Sequence, residues 1–238
     1  MASTLSTVES IDLDVSQFCH TPFYCEENVY FLCKKLCTNR MDDATGADLF
    51  VVFISNEKKQ YLLWNKITLK PGIDHFVQIP LWHQKASKRE DGLVLWDYHV
   101  ICVQRKTEGE FPFIVWDLDS TLPLPIPLGS YVSQAIRPSF QISPEYQRLF
   151  RIIHAPIFFR HFASDRRHMK DSHGNWIAKP PDYEAIVAED GTIHNLYEYM
   201  EIKAADVYTN NIDVKDAVFS QKLGAAANDL EEFFSQIL

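Results

Sequence analysis

The sequence predicts an α+β fold in a single domain, with a cysteine-bearing helix packed on an antiparallel sheet. Three observations carry that expectation. Residues 22–38, PFYCEENVYFLCKKLCT, place Val29, Leu32, Cys33, Leu36 and Cys37 at the i, i+3, i+4, i+7, i+8 spacing that gives a helix one buried stripe. The runs LFVVFIS (49–55), LVLWDYHVICV (93–103) and FPFIVWD (111–117) are rich in β-branched and aromatic residues, as strands are. Helical patterns gather toward one end and strands toward the middle, the segregation of an α+β domain.

Bulk properties narrow the function. A chain of 238 residues buries a sizeable core, and 46% hydrophobic with 23% charged residues is a soluble globular composition. A formal net charge of −9, with no basic cluster beyond runs such as Lys34-Lys35, argues against a nucleic-acid partner. The first basic residue is Lys34, so no targeting peptide is expected, and the longest apolar run, Leu49 to Ile54, is too short to cross a membrane. Cytosol or nucleus is the expected home, and a monomer the expected state, since no heptad pattern or large apolar face is visible. Five cysteines, an odd number, do not form a secreted disulfide framework. Cys33 and Cys37 lie one helical turn apart, but no second pair completes a metal site, so they read as buried thiols and no metal is expected.

In chain order, residues 1–20 are expected to form a flexible arm and 21–238 the domain. Pro22 discourages helix upstream of Cys25, and Glu26 and Glu27 suit the positive end of a helix over 26–38. After the connector NRMDDATGAD, 49–55 reads as a buried strand. Residues 60–83 have two apolar halves about Lys70-Pro71-Gly72, which suggests a hairpin or long loop. One long strand, 93–103, and another, 111–117, flank the polar turn QRKTEGE with Gly109. TLPLPIPLG should wrap a surface in extended form. Short helices are expected at Tyr131–Ile136 and Glu145–Phe150, a strand in FRIIHAP, and a helical turn at Phe158–Phe162. The polar segment 162–176 reads as a solvated loop closed at His173-Gly174, and 180–195 as a loop with a weak strand. Residues 214–237 read as one C-terminal helix with Val218, Leu223, Leu230, Phe233 and Phe234 on one side.

The chemistry centres on Cys25. A thiol at a helix start faces unpaired backbone N–H groups that favour the nucleophilic thiolate, whereas the adjacent glutamates oppose it, so a basic partner is needed. Strand alternation puts Leu95, Asp97, His99, Ile101 and Val103 on one face of 93–103. With the hairpin folded about Glu108, His99 falls opposite Asp117, close enough to share a hydrogen bond, and a register slip of two brings in Asp119. Cys25, His99 and Asp117 then supply nucleophile, base and orienting carboxylate, in the chain order of papain-type folds. The Cys25 backbone N–H is the natural first oxyanion donor.

The blocks FYCEENVYFLC, VVFISNEKK, PLWHQKA, VLWDYHV, VWDLDSTLP and FASDRRHMKDSHGNW, in this order, resemble the protein N-terminal glutamine amidohydrolase family over residues 22 to 200. The resemblance implies a papain- or transglutaminase-like fold. It implies hydrolysis of the side-chain amide of N-terminal glutamine to glutamate with loss of ammonia, in proteins and peptides that thereby enter the N-degron (arginylation) pathway. It places catalytic roles on Cys25, His99 and the first Asp of DLD, Asp117. No cofactor is called for, and downstream N-degron enzymes are the expected partners beyond the substrates. Selectivity for a chain terminus needs an acceptor for the α-ammonium, and Asp97, two residues from His99, is the candidate. Two departures stand out: residues 61–78 interrupt the passage from SNEKK to PLWHQKA, and the tail beyond about residue 200 fits the family pattern poorly. The rival readings are another papain- or transglutaminase-like cysteine acyl-transfer enzyme, or an inactive adaptor that binds N-termini.

Overall fold

Seven consecutive buried residues, Leu49–Ser55, form the central strand β1, and the rest of the molecule is layered on its two faces. The structure is a computed structural model that describes residues 18–38, 45–57, 79–137, 147–207 and 211–237. The 61–78 stretch and residues 1–17 lie outside those described. Strands β2 (Ile79–Leu81), β3 (Val94–Trp96), β4 (His99–Arg105), β5 (Phe113–Trp116), β6 (Ile126–Pro127), β7 (Leu149–His154) and β8 (Ala225–Ala227) follow β1. Six of the strands build one sheet in the order β6-β5-β4-β1-β7-β8, and β2 and β3 pair separately. Every strand pair is antiparallel. Among the described residues no helix is long and apolar enough to cross a membrane.

Alternation along β1 divides the core. Phe50, Val52 and Ile54 join Ile101, Val103, Val115 and Ile152 on one face, covered by α2 (Leu128–Tyr131, continued as a π turn to Ile136), α5 (Asn211–Ser220) and α6 (Leu230–Gln236). Leu49, Val51 and Phe53 join Val100, Cys102 and Ile153 on the other, covered by α1 (Cys25–Thr38), α3 (Ala155–His161) and α4 (Leu196–Met200). The expected α+β class, with a helix headed by a buried cysteine against an antiparallel sheet, is what forms. The stripe Val29, Leu32, Cys33, Leu36 and Cys37 is buried as the spacing predicts. Each fully buried leucine there contributes roughly 1.5–3 kcal/mol, which fixes the helix against β4.

Several elements differ from the sequence expectation. The long strand 93–103 is broken at Asp97-Tyr98. Asp97 Oδ1 accepts the Tyr98 N–H at 3.0 Å, a local bond that competes with the ladder. Trp96 pairs instead with Ile79 in the small sheet. Two-residue alternation therefore fails across the break, and Trp96 enters the same core cluster as Ile101. Leu149 and Phe150 belong to β7, not to a short helix over 145–150. Among residues 180–195 no strand forms; Ile186 makes an isolated bridge to Ser164.

The single C-terminal helix is two helices separated by β8. Gly224 makes that division: its φ is +60°, and an added Cβ would lie 2.0 Å from the Ile152 carbonyl oxygen. The chain can pass so close to β7 only without a side chain, after which Ala225–Ala227 add an edge to the sheet. Gly224→Ala is expected to cost about 2–4 kcal/mol of unfolding free energy, from left-handed strain plus overpacking, measured as a lowered denaturation midpoint at unchanged m-value.

Candidate active site

The loop-to-helix junction at residues 20–28 is held by its own side chains. Thr21 N–H donates to Asn28 Oδ1 at 2.8 Å and Asn28 Nδ2 donates back to the Thr21 carbonyl at 2.9 Å. Phe23 adopts φ 72°, a left-handed turn that leads Tyr24 and Cys25 into the helix, so Cys25 is its first residue. The Tyr24 hydroxyl donates to the Ala178 carbonyl at 3.1 Å. In the string YCEEN, Tyr24, Glu26, Glu27 and Asn28 are thus anchors, each engaged with a different part of the chain.

Cys25 is 5% exposed, and its thiol points at Glu26, with Sγ 3.8 Å from Oε2. Burial pushes the thiol well above its ordinary pKa, and the charges of Glu26, Asp119 and Asp97 push it further, against one backbone hydrogen bond at Val100. The helix start alone does not ionise this sulfur. The Val100 contact sets Cys25 against the peptide that follows His99.

His99 opens β4 and is fully buried. Its Nε2 lies 2.9 Å from Asp117 Oδ1, and its ring stacks on Trp96 with centroids 5.1 Å apart. Nδ1 has no hydrogen-bond partner, so His99 and Cys25 are adjacent without a direct bond between them. Burial lowers the imidazole pKa, and the Asp117 charge and hydrogen bond, aided by Asp119, outweigh it to leave the group raised. Asp117 accepts four hydrogen bonds: Oδ1 from His99 and from the Asp119 N–H (3.1 Å), Oδ2 from Tyr131 Oη (2.8 Å) and Gln84 Nε2 (3.2 Å). Burial drives its pKa up, but His99, Tyr131 and Gln84 together hold it below the ordinary carboxylate value.

The pair forms in a register other than the one expected. Cys102 faces Trp116 and Val103 faces Val115, which extrapolates to position 119 opposite His99. Asp117 still reaches the imidazole because β5 ends at Trp116 and the chain turns, Ser120 N–H donating to the Asp117 carbonyl at 3.0 Å. Asp119, the slipped partner, lies beside them: ligand-capable atoms of His99, Asp117 and Asp119 fall within 4.8 Å of one another. In that group His99 Nε2 and both Asp117 oxygens are already hydrogen-bonded. Asp97 stands exposed at the strand break.

Both glutamates after Cys25 are fully buried. Glu26 Oε2 accepts from the Tyr98 hydroxyl at 2.8 Å, while Oε1 lies 3.4 Å from His168 Nε2. Glu27 is clamped by Arg166, whose Nε and Nη2 reach its two oxygens at 3.0–3.2 Å. Arg166 also donates to the Tyr183 carbonyl at 2.9 Å and lies over the Tyr183 ring at 5.0 Å. The reading of 162–176 as a solvated loop is therefore wrong for its middle, which inserts Arg166 and His168 beneath α1. Gln84, Tyr131 and Arg166 are the residues that sequence reasoning missed. Gln84 and Arg166 sit in the PLWHQKA and FASDRRHMKD blocks, the one signal that pointed to them.

Burial raises the Glu27 pKa despite the Arg166 hydrogen bonds and charge, so an unpaired Glu27 would be costly. Arg166→Ala is expected to destabilise by about 3 kcal/mol at neutral pH. That deficit narrows as pH falls through the Glu27 titration, which lies above the ordinary carboxylate range, because only the ionised form is penalised. Denaturant unfolding of both proteins at several pH values checks the size and the trend.

Comparison with known proteins gives these residues a lineage. Residues 20–77 and 73–233 match the family described as N-terminal glutamine amidase. The boundary between the two matches falls within 61–78, and the second runs well past residue 200, so the tail fits the family better than its sequence suggested. The chain is 56% identical to the protein N-terminal glutamine amidohydrolase of Arabidopsis thaliana, covering 97% of this chain and 98% of that one. It is 52% identical to that of Oryza sativa subsp. indica, over 94% and 90%. It is 36% identical to that of Homo sapiens, over 75% and 76%. With two family matches that together span nearly all of the described residues, the chain belongs to the N-terminal glutamine amidase family.

Proposed function

We propose that the protein hydrolyses the side-chain amide of N-terminal glutamine in proteins and peptides, giving glutamate and ammonia, with Cys25 as nucleophile, His99 as base and acid, and Asp117 as its orienting partner. The observation that carries this reading is the buried His99–Asp117 pair at 2.9 Å, with Cys25 at the head of α1 beside it. An ionised Asp117 only accepts, so Nε2 carries the proton and Nδ1 is the free acceptor on the far side of the ring. The thiol gives its proton to Nδ1 as sulfur attacks the glutamine δ-carbon. The imidazolium returns that proton to the departing nitrogen, which leaves as ammonia from a γ-glutamyl thioester. Water, deprotonated by His99, then adds to the thioester and releases glutamate and the thiol. The Cys25 N–H, at the helix start, donates to the oxyanion in this mechanism.

Asp97 is assigned to the α-ammonium, since it stands exposed next to Tyr98 and its charge acts on Cys25. In this reading the product, a protein beginning with glutamate, passes to arginylation in the N-degron pathway.

A Gln-initiated peptide should gain one dalton in mass and release ammonia, an internal-Gln peptide should not, and Cys25→Ala should abolish the reaction. Equal turnover of the internal glutamine would sink the terminal specificity. The acid limb of kcat/KM against pH should lie above the ordinary imidazole value of about 6.5, because neutral His99 is required and its pKa is raised in the free protein. Asp117→Asn removes the charge that raises it, so the limb should move to lower pH while kcat falls on the order of 10²–10⁴-fold.

A further inference from the structure

Among the buried carboxylates beside the site to which the mechanism above gives no role, Asp119 is the one whose partner is partly exposed. Asp119 is only 7% exposed. Its charge acts on Cys25 more strongly than that of Asp97, and its backbone N–H is bonded to Asp117. Its Oδ1 is occupied by His20 Nε2 at 2.8 Å, a side chain that is 30% exposed and begins the junction leading to Cys25. His20 and Asp119 are 99 positions apart in sequence, so the contact is tertiary and not a by-product of a local turn.

We infer that Asp119 is a second anchor for the α-ammonium of the substrate, and that His20 competes for it and must swing away before the ammonium docks. The inference rests on the proposed activity and deepens it. A glutamine side chain spans about 5 Å from its δ-carbon to its α-nitrogen, given carbon–carbon bonds of about 1.5 Å. A substrate whose δ-carbon meets the sulfur therefore carries its ammonium into the zone where carboxylates act on Cys25. An ammonium has three N–H donors, so one carboxylate at the exposed edge, Asp97, leaves donors unmet. Asp119 supplies an acceptor in a drier position, where a charge-assisted hydrogen bond is stronger. It already holds an N–H donor at ammonium-like distance. His20 is the more exposed partner, anchored there by this bond, and so is the one able to leave. Internal glutamines bring no ammonium and would not displace it.

Asp119→Asn keeps shape and backbone while removing the charge, and His20→Ala removes the competitor. Both are compared with the parent chain on a Gln-initiated peptide and on its des-amino analogue, which begins with a 4-carbamoylbutanoyl group. Asp119→Asn should lower the preference in kcat/KM for the free-amine peptide over its analogue on the order of ten- to a hundredfold, chiefly through KM. His20→Ala should act oppositely, lowering KM for the free-amine peptide severalfold. An active parent whose Asp119→Asn variant loses both rates in equal proportion, or whose His20→Ala variant raises KM, overturns the inference alone. A parent that leaves both peptides intact overturns the activity and this inference with it.

Discussion

One buried carboxylate, Asp117, joins the parts of the chain on which the site depends. Its four hydrogen bonds come from β4, from the turn after β5, from α2 and from the loop after β2. Isolated in the core, an ionised carboxylate would carry a penalty of several kcal/mol, and the fold is constrained to bring donors to it. That requirement explains the short π-terminated α2, which delivers Tyr131. It also explains why Gln84 bridges to Asp117 while its Oε1 accepts from Trp96 Nε1 at 3.1 Å. Trp96 in turn packs on the His99 ring, so the imidazole is fixed by a hydrogen bond at one nitrogen and a stacked indole on its face. Only Nδ1 is left for chemistry.

The electrostatics around Cys25 run against a resting thiolate. Glu26, Asp97 and Asp119 surround it, and Arg166, the nearby cation, is committed to Glu27. A papain-like ion pair between sulfur and imidazole is thus disfavoured, and in the proposed mechanism proton transfer is coupled to attack. In the proposed function the same negative surroundings suit a positive chain terminus. An arrangement that makes the cysteine a poor free nucleophile makes the site a better receptor for an ammonium, and a substrate that delivers that charge offsets the carboxylates that suppress ionisation.

The helix stripe, β1, β4 and the meeting of His99 with Asp117 were legible in the sequence because each depends on local periodicity or on strongly patterned strings. The His99–Asp117 pair was reached through a hairpin centred on Glu108, whereas the observed register centres one residue later, at Gly109 with φ 108°. Parity survived because the two registers differ by two residues, and Asp117 meets the imidazole because the turn beyond the ladder carries it back. The break at Asp97-Tyr98 was not legible, since Asp97 sits in an otherwise strong strand pattern and its effect comes from one side-chain bond to the backbone. The Arg166–Glu27 clamp was hidden for another reason. It spans 139 positions, and a charged run such as Asp165 to Lys170 has the composition of a solvated face whether or not one of its members turns inward.

That strand break is what makes a site out of a sheet edge. Had 93–103 continued as one strand, alternation would have set Trp96 and His99 on opposite faces, and the indole could not have stacked on the imidazole. The break returns Trp96 to the His99 side. It leaves Tyr98 facing α1, where its hydroxyl meets Glu26, and exposes Asp97 between them. Three consecutive residues thereby face three ways: Asp97 to solvent, Tyr98 to the nucleophile's helix, His99 to Asp117. Cys25 joins the core cluster on one face of the sheet, whereas His99 shares its strand face with Ile101 of the other, and the two come together where both begin their elements. Cys25 and His99 are therefore positioned by the ends of a helix and a strand, each fixed by the packing of the element it begins.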